Sequence, residues 1–177
     1  MKRLFIILIS TVIFLGACKK EATVRTSGKA TIDNTILQPT TNPHVLGFSF
    51  SQAKLASSLS SSFDIAITLF NSKPELAAKN FNPSFFKVGD YATENEAKTA
   101  FDNLKTVPEP QPWGYFARDI VPNQIWIYRS DIHKTDNEKY TKIRIIEVKT
   151  EKEEQYVVYA ECTFEWVHQP DGSLNFP

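Results

Sequence analysis

The sequence predicts a mostly β domain of the α+β kind, an antiparallel sheet structure with one short capped helix over about 93–105. Three observations predict it. β-Branched and aromatic residues crowd "QIWIYR" (124–129), "YTKIRIIEVK" (140–149) and "QYVVYAECTFEWV" (155–167). Upstream, "SFDIAITLF" alternates Phe63, Ile65, Ile67 and Leu69 with Asp64, Ala66 and Thr68, the period of a strand with one buried face. Finally, Thr93-x-x-Glu96 is a capping box, which satisfies unpaired amides at a helix start, and Ala97, Ala100, Phe101 and Leu104 follow on one helical face.

In chain order, "MKRLFIILISTVIFLGACKKEA" opens with Lys2 and Arg3, continues as an apolar run from Leu4 to Leu15, and ends in small residues before a cysteine. That is the layout of a secretory signal. The run falls short of the ~20 apolar residues of a spanning helix. "LGAC" looks like a bacterial lipobox, with cleavage before Cys18 and lipid on its sulfur; the competing reading is a plain anchor helix. Several acyl chains of the palmitate type would make the attachment lasting, since stable anchoring takes two lipid signals. The expected organisation is a signal peptide over 1–17, a lipidated tether over 18–30 and a single domain over 31–177.

The chain holds 20 basic and 20 acidic residues, so loss of Lys2 and Arg3 leaves the mature protein slightly acidic. No basic excess supports nucleic-acid binding, which depends on neutralising phosphates. With Cys18 acylated, Cys162 has no partner and a disulfide framework is excluded.

Glu21 to Pro43 reads as a tether turning into an outer strand around Thr31 to Leu37, and "HVLGFSFSQAK" as a strand. "LASSLSSS" reads as a loop or a weak helix, and "NSKPELAAKNFNPS", with its two prolines, as mostly loop. Pro108, Pro110 and Pro112 close the helix and form a stiff connector. The charged "TEKEE" joins the last two strands as a hairpin. In the final strand Tyr156, Val158, Ala160, Cys162, Phe164 and Trp166 share one face, which makes Cys162 a packing thiol. The same parity places His168 at the edge of the core side.

Enzyme signatures are missing: there is no Gly-x-Ser-x-Gly, His-Glu-x-x-His or Cys-x-x-Cys, and six scattered glycines form no phosphate cradle. The expected protein is not an enzyme. Ser130, Asp131 and His133 lie close in sequence, but a triad is assembled by the fold rather than by proximity along the chain. Asp131-x-His133 supplies two donors of a metal site without a third, so a solvated loop is the competing reading.

The second half also carries an ordered series of features. A strand ending in Tyr128-Arg129 is followed by Lys139-Tyr140-Thr141-Lys142-Ile143, then by the strand from Tyr156 to Val167, then by Gln169-Pro170-Asp171-Gly172-Ser173. With Phe63-Asp64-Ile65-Ala66 upstream and the lipobox, this resembles the HmuY-like lipoproteins of Bacteroidetes. The resemblance implies an outer-membrane-anchored lipoprotein that captures haem and passes it to an outer-membrane receptor of the TonB-dependent type. The resemblance implies two axial iron ligands, histidine or methionine; Met1 leaves with the signal, and on this reading His133 and His168 are the candidates for the iron. Trp113, Tyr115, Phe116, Arg118, Trp126 and Tyr128 would supply walls and a cation for the haem; the competing reading is that the aromatics are ordinary core residues. The alternative is an interaction lipoprotein of the same fold with no haem site.

Overall fold

The computed structural model describes residues 25–37, 42–79, 82–109, 112–130 and 138–177. Two five-stranded antiparallel sheets stack face to face, as the β-rich patterning predicts. The strands are β1 (Ser27–Asp33), β2 (Leu46–Ser49), β3 (Lys54–Ser57), β4 (Ile65–Phe70), β5 (Lys73–Ala78), β6 (Phe85–Asp90), β7 (Phe116–Ala117), β8 (Gln124–Arg129), β9 (Tyr140–Glu153) and β10 (Tyr156–Gln169), with α1 (Glu94–Asn103) between β6 and β7. Sheet one runs β1-β10-β9-β8-β6 and sheet two runs β3-β2-β4-β5-β7.

The inner faces make one core. Sheet two contributes Phe48, Ile65, Ile67 and Leu76; sheet one contributes Ile32, Trp126, Ile143, Cys162, Phe164 and Trp166. Cys162 is a buried free thiol whose pKa burial raises, as a packing role requires. Alternation along β10 persists to its end, with Ala160, Cys162, Phe164, Trp166 and His168 all buried.

The outer face of sheet one is covered at one end. Ile127 and Tyr140 pack there with Val107, Phe176, Trp113 and Leu104. This is why β9 is buried on both faces from Tyr140 to Ile145. Lys142 reaches under α1 and its amine donates to the carbonyl oxygens of Phe101 and Leu104, both at 2.8 Å. A cation therefore sits where the helix leaves its last carbonyls unpaired and its dipole negative.

Four expectations change. β1 begins at Ser27 rather than near Thr31, so the end of the expected tether is strand, paired along β10 from Ser27↔Val167 to Asp33↔Glu161. The strand expected over "HVLGFSFSQAK" ends at Ser49, and β3 takes Lys54 from it and Leu55–Ser57 from the expected loop or weak helix, because pairing with β2 outweighs a weak serine-rich propensity. "KPELAA" is β5, joined to β4 by a two-residue turn at Asn71 and Ser72, both with positive φ. Pro74 is tolerated because it faces Leu69 one pair beyond the Phe70↔Lys73 closure, where its missing N–H would point away from β4. β6, in a stretch read without a strand, forms the edge of sheet one against β8. Among the described residues no helix is long and apolar enough to cross a membrane.

Candidate functional site

Among the described residues the outer face of sheet two has no helix over it, and it carries a groove of about 560 Å³. Its shape follows from residue size. Ile65 and Ile67 of β4 and Leu76 of β5 point into the core, so Ala66, Thr68, Glu75 and Ala77 point out. The register Ala66↔Ala77 places two methyl groups side by side, which leaves the floor low. One wall is built from Ile36, Val45 and Phe63, the other from Phe116 of β7, next to β5.

Phe63 was expected on the core face of β4. It precedes the strand instead and packs with Ala56 and Ala66 on the outer side. Gly47 permits this: a Cβ there would fall on the Phe63 ring and on the Ile65 carbonyl oxygen. The missing side chain in β2 is thus the seat of an aromatic wall.

Glu75 lies at one end of the groove and also lines a smaller hollow of about 230 Å³ with Phe70, Lys73, Arg118 and Asp119. The residue is only 4 % exposed. Its Oε2 is buried and accepts no hydrogen bond among the described residues; the Arg118 Nε approaches it at 3.7 Å, beyond hydrogen-bond reach. Burial pushes the Glu75 carboxyl above its ordinary pKa, Arg118 pulls it back, and Asp119 pushes it up further. The Arg118 guanidinium lies 4.5 Å from the Phe70 ring and 5.5 Å from that of Phe116, which fixes it at the rim. At the other end, the Lys79 amine donates to the Ser60 carbonyl oxygen at 2.8 Å.

The residues singled out for haem lie on three different surfaces. Trp126 and Tyr128 are core residues, 6 % and 5 % exposed; the Trp126 indole N–H donates to Gln124 Oε1 at 3.1 Å. Trp113 belongs to the outer cluster of sheet one, with the Arg129 guanidinium 4.4 Å over its ring. Arg118 is at the rim on sheet two, and Tyr115 is exposed. His168 is 5 % exposed. Its Nδ1 shares a hydrogen bond with Thr141 Oγ1 at 2.8 Å, and its Nε2 has no hydrogen-bond partner among the described residues. Burial, with Lys139 adding to it, lowers its pKa to about 4, so it is neutral at physiological pH. Neither the groove nor the hollow beside it is lined by His168. His133, Asp131 and Cys18 lie outside the described residues. Among the described residues no group of three or more His, Cys, Asp or Glu is placed to hold a metal ion.

The sequence reading passed over Glu75, Ala77 and the outward role of Phe63. One signal was available: "KPELAA" alternates Glu75 and Ala77 with Leu76 and Ala78, the strand period that Pro74 obscures. The fold and its groove define a two-sheet β protein with an outward-facing cleft over one sheet. Comparison with protein-family models, with curated proteins and with solved structures finds no match.

Proposed function

We propose that this chain is a non-catalytic binding lipoprotein of the cell envelope, anchored to the outer membrane through Cys18, which uses the groove over sheet two as its binding site. The observation that carries the reading is the groove itself. Its 560 Å³ lie within the ~300–1,000 Å³ usual for small-molecule sites, and it pairs apolar walls with one buried polar group, Glu75. The signal-like N-terminus and the lipobox support the address. Haem capture is the second reading. Its support is the resemblance to the HmuY-like lipoproteins, together with the buried Nε2 of His168, which has no hydrogen-bond partner among the described residues.

Three measurements test these readings. Mass spectrometry of the mature protein should find acylated Cys18 at its N-terminus, and Cys18→Ala should release the protein from the membrane fraction; an unacylated N-terminus overturns the anchoring. The chain from Lys19 keeps every described element, and it should take up a neutral fluorescent probe of apolar sites in a saturable way. Hemin titration of the same chain separates the two readings. A sharp Soret band saturating at one equivalent, and lost in His168→Ala, would replace the groove reading with haem capture; a spectrum matching free hemin dismisses haem.

A further inference from the structure

We infer that the groove selects apolar molecules headed by a hydrogen-bond donor, an alcohol or a protonated amine, with the donor seated on Glu75 Oε2. The inference rests on the groove being the binding site and specifies what enters it. The floor of Ala66 and Ala77 and the walls of Val45, Phe63 and Phe116 are apolar, so a hydrocarbon body gains by leaving water there. A head group that is also polar must find a partner, because burying an unpaired polar group costs free energy.

Glu75 is the acceptor placed for that head. Its side chain is 6 % exposed and its Oε2 lacks a hydrogen bond among the described residues. An ionised carboxylate only accepts, so it calls for a donor. Arg118 forms an ion pair with this carboxylate at 3.7 Å but donates no hydrogen bond to it, its guanidinium lying against the Phe70 and Phe116 rings. A carboxylate-headed amphiphile therefore brings a further acceptor to Glu75 instead of the donor it lacks. A donor-headed one completes the buried acceptor. The polar hollow beside Lys142 calls for the opposite chemistry: the Trp166 indole N–H that lines it is buried without a hydrogen-bond partner among the described residues and is a donor, not an acceptor.

The test is displacement of N-phenyl-1-naphthylamine from the chain beginning at Lys19, at neutral pH, by decan-1-ol, decylamine and decanoate. The alcohol and the amine should displace the probe at concentrations at least about tenfold lower than decanoate, the size expected of one hydrogen bond to a charged group. Glu75→Gln, which gives the site a donor of its own, should abolish the discrimination against decanoate while probe uptake persists. Ala77→Phe, which fills the floor, should abolish uptake altogether. If that variant does not fold, Ile36→Asp on the exposed wall, with 61 % of the residue accessible, should weaken uptake without touching the core. Equal displacement by all three amphiphiles, or preference for decanoate, overturns the donor rule and leaves the groove reading intact. No uptake of probe by the parent chain overturns the groove reading itself.

Discussion

Phe50 and His168 lie stacked in the core, their ring centroids 6.1 Å apart and their planes 16° from parallel. The same phenylalanine donates its backbone N–H to Asp64 Oδ2 at 2.7 Å, so one residue joins a half-buried carboxyl and a buried imidazole. Burial raises the Asp64 pKa from 3.8 to about 6 against the pull of its hydrogen bonds, and lowers that of His168 from 6.5 to about 4. Lys139 acts on both, favouring the charged carboxylate and the neutral imidazole.

The two groups push stability in opposite directions over the same pH window. Between pH 4 and 6 the fold keeps a proton on Asp64 that the unfolded chain has released, so this contribution is full at acid pH and is lost as pH rises through about 6. His168 is kept neutral while the unfolded chain binds a proton below 6.5, so its contribution is full above 6.5 and is lost as pH falls towards 4. At ~1.4 kcal/mol per pKa unit each amounts to at most about 3 kcal/mol, and they largely cancel. Relative to the parent, Asp64→Asn should steepen the loss of stability on acidification from pH 6.5 to 4, and His168→Gln should lessen it. Urea unfolding across that range reads both slopes; parallel curves for all three proteins would remove the coupling.

What the sequence disclosed followed from how locally each signal is encoded. The helix was legible because its start is written in two side chains: Thr93 Oγ1 accepts from the Glu96 N–H at 3.2 Å and Glu96 Oε2 accepts from the Thr93 N–H at 3.1 Å. The parity of β10 was legible to its last turn, and it put His168 on the core side, where it is found. β3 and β5 were not, because "KLAS" and "KPELAA" have little strand propensity of their own and are strands through their neighbours in the sheet. The groove was hidden for a similar reason. It arises from side chains that are absent, at Gly47, Ala66 and Ala77, and small residues announce nothing until the sheet sets them side by side.

The capping box gives a prediction confined to one end of the molecule. Thr93→Ala removes the acceptor for the Glu96 amide and should cost about 1 kcal/mol. Thr93→Ser or Thr93→Asp should retain most of it. The three chemical-unfolding midpoints measure this, and a midpoint of Thr93→Ala equal to the parent's would show that water replaces the cap without loss.

Under α1, Arg144 is 1 % exposed and holds Glu165 Oε2 through its Nε at 3.0 Å and its Nη2 at 2.8 Å. Glu165→Ala leaves the guanidinium buried without that partner. Loss of one member of a buried pair costs ~3–5 kcal/mol, and about 2–3 is expected here because Glu165 is 19 % exposed. Glu94 approaches the same arginine at 3.6 Å but is 74 % exposed, so Glu94→Ala should cost under about 0.5 kcal/mol. Comparable losses in the two variants would show that the pair shares its charge evenly rather than through Glu165.

Gly47 offers the sharpest test of how the groove is built. Gly47→Ala places a methyl group where the Phe63 ring and the Ile65 carbonyl oxygen already stand, and the second of these belongs to the strand backbone. Overpacking of this kind costs ~1–3 kcal/mol, and the upper part of that range is expected because one of the two contacts is backbone. Phe63→Ala removes the ring and the wall together, so it should destabilise through lost burial with Ala56 and Ala66 while widening the groove. In the double variant the new methyl no longer meets the ring. Its cost should therefore fall below that of Gly47→Ala alone, leaving only the clash with Ile65. A double-mutant cycle by urea unfolding measures that coupling. Strict additivity would mean that Phe63 does not rest on Gly47, and the wall of the groove would have to be held by something else.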